Sequence, residues 1–242
     1  MRKAKEIIGN EKVMKKLGFT IAILALYRLL VFIPIPFVNL SELMSSTLEI
    51  GSAGGFGYLI MLMGGALSNF AIVAIGVSPY ITSSIILQLL TSVIPHLEEL
   101  TEQGEVGQNK INQYTRYLTL PMAFLQGIGM VFIMNSMLGG NAIDTGNFGI
   151  IILTAFILSV GSILLMWLGE LITEKGISNG ISMLIFASIV AGIVQQSYTS
   201  LTTGASWVSV LLFMLAIVLV LILLSIFILK STKEIPVIYA RQ

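Results

Sequence analysis

Long apolar runs alternate with short polar gaps along this chain. A spanning helix needs about 20 mostly apolar residues. Six segments meet or approach that length: 19–38, 71–94, 118–138, 148–169, 180–196 and 207–229. The last, WVSVLLFMLAIVLVLILLSIFIL, contains no charge. The fifth is short and rich in small residues, as expected of a helix packed inside a bundle. The pattern predicts an all-α integral membrane protein with six transmembrane helices.

One apolar stretch does not fit. In GSAGGFGYLIMLMGGALSNF (51–70) the apolar centre runs only from Phe56 to Met63. As a helix it would be about 12 Å long, too short for a core of about 30 Å. Gly51, Gly54, Gly55 and Gly57 precede or open it, and Gly64 and Gly65 follow, so the chain can reverse on both sides. Two readings stay open here. One is a short helix re-entering the membrane beside a water-filled cavity, where such backbone is tolerated. The other is a surface hairpin packed on its neighbours.

Charge then sets orientation. Twelve of the 13 Lys and Arg residues lie in alternate gaps: six before residue 17, Lys110 and Arg116 in the third gap, Lys175 in the fifth, and Lys230, Lys233 and Arg241 at the end. The gaps near 39–70, 139–147 and 197–206 carry no base. This alternation is the positive-inside pattern of a multi-pass protein with a cytoplasmic N-terminus. Six crossings return the C-terminus to the same side, where bases again appear. Tyr114, Tyr117, Trp167 and Trp207 fall near predicted helix ends, as interfacial aromatics do.

Charged residues are 10% of the chain, against about 25% in soluble proteins. The bases are dispersed among loops, which gives no nucleic-acid patch. There is no cysteine and one histidine, His96. Neither a thiolate nor a His-based metal site is indicated, and no cofactor motif is present. Residues 1–18 read either as a basic amphipathic helix attracted to anionic lipid, with Ile7, Ile8, Val13, Met14 and Leu17 on its apolar side, or as a solvated basic tail. The run from Phe19 is too long for a signal peptide and lacks a small-residue cleavage site, so it reads as a retained first helix.

Several interior residues stand out. Pro79 should bend the second span. Val77 and Ile81 share one face of it, four residues apart, as do Ile181 and Ile185 on the fifth. Gly176 and Gly180 permit close helix approach there. Such branched residues either pack helices together or form a hydrophobic constriction that blocks ions by dewetting. Spacing leaves both open. Arg28, near the middle of the first span, should face protein. Gln126 is an isolated polar group in the third span. Glu170 and Glu174 read as a solvated loop. Ser78 has no histidine base within reach in the membrane, which argues against a hydrolase. A secondary transporter with broken helices is the alternative class, and it would call for intramembrane carboxylates.

The strings YRLLVFIPIP (27–36), GGAL (64–67), VSPYITSSIILQLLT (77–91), GEVGQNKINQYTRY (104–117), MWLGELITEKGISNGISMLIFASIVAG (166–192) and IPVIYAR (235–241) resemble the SecY family, channel subunits of the bacterial protein translocon. The resemblance runs along almost the whole chain. It implies a passive protein-conducting channel in the cytoplasmic membrane, not an enzyme, that passes unfolded polypeptides and releases apolar segments to lipid. It implies a plug at about 54–63 (Phe56, Tyr58, Leu59, Ile60, Met61, Leu62) and a pore ring of Val77, Ile81, Ile181 and Ile185. Thr82 and Gln126 match lateral-gate positions, and Lys110, Arg116, Lys233 and Arg241 match cytoplasmic docking loops. Implied partners are the SecE and SecG subunits, the SecA motor or a ribosome, a nascent polypeptide with its signal sequence, and membrane lipid.

Three departures accompany it. Gln108 and Asn109 stand where the family often has two arginines, Lys233 and Glu234 replace a basic pair, and Ile60 replaces a plug asparagine. Ten spans are usual in the family. The expected division is 1–18 as the amphipathic segment, 19–196 as the N-terminal half-channel with five helices and the plug, 207–229 as the sixth helix and 230–242 as the start of a cytoplasmic loop. A fragment that stops before the seventh helix is expected.

Overall fold

The computed structural model describes residues 11–36, 66, 70–137, 143, 147–202 and 207–230. They form seven helices: α1 (Glu11–Val31), α2 (Ser78–Thr91), α3 (Pro95–Glu102), α4 (Glu105–Met137), α5 (Phe148–Lys175), α6 (Gly180–Thr202) and α7 (Trp207–Lys230). Among the described residues, Glu105–Ser136 and Phe148–Lys175 are each long and apolar enough to cross a membrane, and α2 with α3 qualifies jointly across a 99° bend. Two compact units are present, Met1–Ile193 and Val194–Gln242. The second contains α7, a helix without a charge before Lys230.

The helix ends differ from the apolar runs for identifiable reasons. α1 starts at Glu11 and ends at Val31, so polar residues 11–18 continue into the apolar part as one helix. It stops short of residue 38 because Pro34 and Pro36 hold Ile33 and Ile35 extended. Pro34 then bridges Ala71, with the Ile35 N–H donating to the Phe70 carbonyl (2.8 Å) and the Ile72 N–H to the Ile33 carbonyl (3.0 Å). Because α1 ends there, Arg28 lies in its last turn rather than at mid-helix. A cation is favoured beside the terminal carbonyls.

Ala71 is the bridged residue and 72–77 are turns, so α2 begins only at Ser78. Pro79 therefore occupies the first turn, where its missing N–H costs nothing, and it does not bend an interior. The helix ends at Thr91, and Ile94 is extended (φ −101°, ψ 112°) ahead of Pro95, as a residue before proline prefers. α4 starts thirteen residues before the expected 118, since its beginning packs on α3: Leu100 and Gly107 are buried, and a β-carbon at Gly107 would collide with the Leu100 carbonyl. Its 33 residues span about 50 Å. Pro121 lies inside it and offers no N–H to the Tyr117 carbonyl.

α5 is the central helix. It packs on α1, α2 and α4, and Thr154, Leu158, Ser162, Leu165 and Ile172 are buried along it. Asn147 caps its start, its side chain accepting from the Gly149 N–H (3.1 Å). A close turn joins α5 to α6. The Thr173 hydroxyl donates to the Gly169 carbonyl (3.0 Å) and accepts from the Gly180 N–H (2.8 Å). A β-carbon at Gly180 would collide with the Gly169 carbonyl, so only glycine allows this approach. At the other side of the bundle the Tyr27 hydroxyl lies 3.0 Å from Ser188 Oγ. Ser188 already donates to the Leu184 carbonyl, which makes Tyr27 the donor and ties α1 to α6.

We expect Gly180→Ala to destabilise the bundle by about 1–3 kcal/mol, read as a lower unfolding midpoint in detergent. An unchanged midpoint would show that α5 and α6 separate without cost.

Candidate functional site

The irregular stretch 70–77 sits between two apolar clusters and belongs to both. Phe70, Ala74 and Ile75 join Ile35, Val131 and Leu158 in one. Ala71, Val73 and Val77 join Tyr27, Leu165 and Leu184 in the other. Non-helical backbone among apolar groups must have its polar atoms satisfied by protein. Here the Ala71 N–H reaches the Ala66 carbonyl (2.9 Å), the Ala74 N–H the Ala71 carbonyl (2.9 Å) and the Gly76 N–H the Val73 carbonyl (2.9 Å). Ser162 Oγ of α5 donates to the Gly76 carbonyl at 2.8 Å. Two positive φ angles make the stretch turn, Phe70 at 47° and Gly76 at 67°.

At the end of this stretch the expected apolar residues are brought partly together. Val77 is buried in the second cluster, and Ile181 and Ile185 of α6 pack against that same cluster. Ile81 lies one turn further along α2, its N–H donating to the Val77 carbonyl (3.2 Å). Its side chain is 36% exposed, outside that cluster. Ile181 also covers α5, its Cδ1 lying against Gly169.

The two polar residues singled out in the sequence meet each other. Gln126 Nε2 of α4 donates to Thr82 Oγ1 of α2 at 3.4 Å. The Thr82 hydroxyl donates in turn to the Ser78 carbonyl at 3.0 Å. One hydroxyl thus uses its proton within its own helix and a lone pair between helices.

Arg116 and Glu170 are the second cross-link. Arg116 Nε donates to Glu170 Oε1 at 2.6 Å, with side-chain exposures of 48% and 26%. Glu170 is therefore a partner of α4 rather than a group in a solvated loop. Opposite charges at the same predicted end of two spans carried that signal in the sequence. Lys110 is exposed on α4 and His96 on α3. The expected plug residues Phe56, Tyr58, Leu59, Ile60, Met61 and Leu62 lie outside the described residues, as do Lys233 and Arg241. Sequence reasoning missed Ser162, Tyr27, Thr173 and Ser188, because serine and threonine in membrane helices carry no spacing signal of their own.

Comparison with known proteins adds a family. A SecY family model matches residues 71–242. The protein translocase subunit SecY of Bacillus licheniformis is 41% identical over 238 residues, covering 95% of this chain and 54% of its own length. That of Streptomyces galbus is 40% identical over 239 residues, covering 94% and 54%. The chain spans about half the length of the curated relatives it matches. Among solved structures, Sec61 in the canine ribosome-channel complex from the endoplasmic reticulum matches 93% of this chain and 49% of its own, with a TM-score of 0.57 and 18% identity. That likeness is one of fold, the all-α membrane fold shared with SecY-type chains.

Two measurements test the cross-links. A double-mutant cycle of Thr82→Val and Gln126→Leu should give a coupling of about 0.6 kcal/mol, the usual size of an interhelical bond in a membrane protein. Zero coupling would show that the two groups do not meet. For the ion pair, Arg116→Glu should lower stability by about 0–1 kcal/mol, given its exposure. The swap Arg116→Glu with Glu170→Arg should recover most of that loss; a swap no better than the single variant would count against the pair.

Proposed function

This chain belongs to the SecY family, and we propose that it supplies the N-terminal half of a protein-conducting channel in a bacterial cytoplasmic membrane. Unfolded polypeptides are the substrate, and no bond is made or broken. The N-terminus lies in the cytoplasm, six helices cross the membrane, and segment 54–63 plugs the channel from outside.

The observation that carries the reading is the convergence on one apolar cluster of Val77, at the start of α2, with Ile181 and Ile185 on α6. These residues lie about a hundred positions apart in the chain. With Ile81 they supply part of an apolar ring. Branched side chains around a narrow opening exclude water and therefore ions, yet part around an extended chain. The non-helical stretch 70–77, packed among two apolar clusters, supports this reading, because such backbone in a membrane bundle occurs where protein or a cavity receives it.

The α2–α4 contact through Thr82 and Gln126 supports a lateral gate on that side. A weak polar bond between two helices holds them together without locking them. Lys110 and the tail residues Lys233 and Arg241 supply docking charge for a SecA-type motor or a ribosome, which provides the driving force. Arg116 contributes less to docking than its charge suggests, since Glu170 occupies its guanidinium. SecE and SecG are the expected neighbouring subunits, and lipid receives apolar segments released through the gate.

The test is ion leak and signal selectivity of the assembled channel in vesicles. Ile81→Asn and Ile185→Asn should each raise the leak of the idle channel and relax exclusion of poor signal sequences. If both variants keep the original leak and selectivity, the ring assignment fails.

A further inference from the structure

Serine and threonine inside an apolar helix ordinarily donate to the carbonyl one turn back. On α5, Ser159 Oγ donates to the Ala155 carbonyl (2.7 Å) and Thr173 Oγ1 to the Gly169 carbonyl (3.0 Å). Ser162 behaves differently. It is fully buried, and it donates across to the Gly76 carbonyl at 2.8 Å. Its neighbour Gly161 has no β-carbon, and one placed there would collide with the Ile72 carbonyl. Two adjacent residues of α5 thus receive two carbonyls of the irregular stretch, one by a bare surface and one by a hydrogen bond.

The Gly76 carbonyl is the last backbone acceptor before Val77. Val77 is the N-cap of α2 and provides no side-chain capping bond (φ −93°, ψ 6°). The start of α2 is therefore not set by its own cap. Gly76 at φ 67° is in a conformation that glycine can also leave easily. A tether on its carbonyl removes that freedom, and the first α2 bond, from the Ile81 N–H to the Val77 carbonyl, follows from it.

We propose that Ser162 is the positioning residue of the apolar ring: through its bond to the Gly76 carbonyl, α5 fixes the start of α2 and with it Val77 and Ile81. This rests on the ring reading above. Ser162 touches no substrate and acts through the backbone of 72–77. Gly161 sets the distance of approach, and Ser162 sets the register.

The experiment uses the assembled channel with two readouts, amide exchange of the peptide covering 70–82 and ion leak of the idle channel. Ser162→Ala should speed exchange in that peptide by about three- to tenfold, the range set by loss of one hydrogen bond, and should raise the leak. Ser162→Thr keeps the hydroxyl and should restore both. Ser162→Cys keeps the volume, weakens the donor and should fall between, which also covers a poorly folded alanine variant. Ser159→Ala loses only an intrahelical bond and should leave both readouts unchanged. Unchanged exchange in Ser162→Ala overturns the proposal. So does faster exchange with an unchanged leak while Ile81→Asn leaks, and that outcome leaves the ring standing. No leak in either Ser162→Ala or Ile81→Asn overturns the ring reading, and the proposal falls with it.

Discussion

A backbone that leaves the helix inside an apolar bundle must bring its own hydrogen-bond partners, because lipid has none to offer. Residues 70–77 are that backbone, and much of the first unit is arranged to meet their needs. The chain just after α1 is extended so that residues 33 and 35 can pair with 72 and 70. α5 carries a glycine and a serine side by side where two carbonyls arrive. The apolar side chains of the stretch divide between two clusters, which holds it from both sides. Remove the irregular stretch and neither cluster is complete.

Polar bonds also cross between the helices. Tyr27 to Ser188, Gln126 to Thr82 and Arg116 to Glu170 each join two elements far apart in sequence, and Thr173 to Gly180 closes the turn between two successive helices. Apolar surface alone cannot hold membrane helices to one another, since lipid tails are equally apolar. Close packing at small residues and a scatter of modest hydrogen bonds do that instead. A bundle held in this way is specific in arrangement without being rigid, which suits a protein proposed to part its helices.

The sequence was legible where one physical effect dominates. Runs such as 148–169 and 207–229 are helical because nothing charged interrupts them, and α5 and α7 cover them. Boundaries moved where two effects compete. Polarity suggested a start for α4 near 118, but polar residues continue a helix when α3 covers one side, as Gly107 against the Leu100 carbonyl shows. Apolarity carried the first span to residue 38, and two prolines stopped it at Val31. Pro79 was read as a bend because residues 71–77 look helical by composition; they are a bridge and turns, and the proline opens the helix. Gln126 was found as a polar outlier and Thr82 through the family resemblance, yet 44 positions separate them, and nothing in the order of residues says that they touch. Glu170 looked solvated because its partner is 54 positions away.

Pro121 acquires a mechanical meaning from its place on α4. It lies between Arg116, bound to α5, and Gln126, bound to α2. A helix is most compliant where a rung of its ladder is missing, here at the Tyr117 carbonyl. The shaft is thus two stiff rods in series with a soft joint between its two moorings. Bending α4 between its two moorings therefore costs less at that joint than bending it where every rung is made.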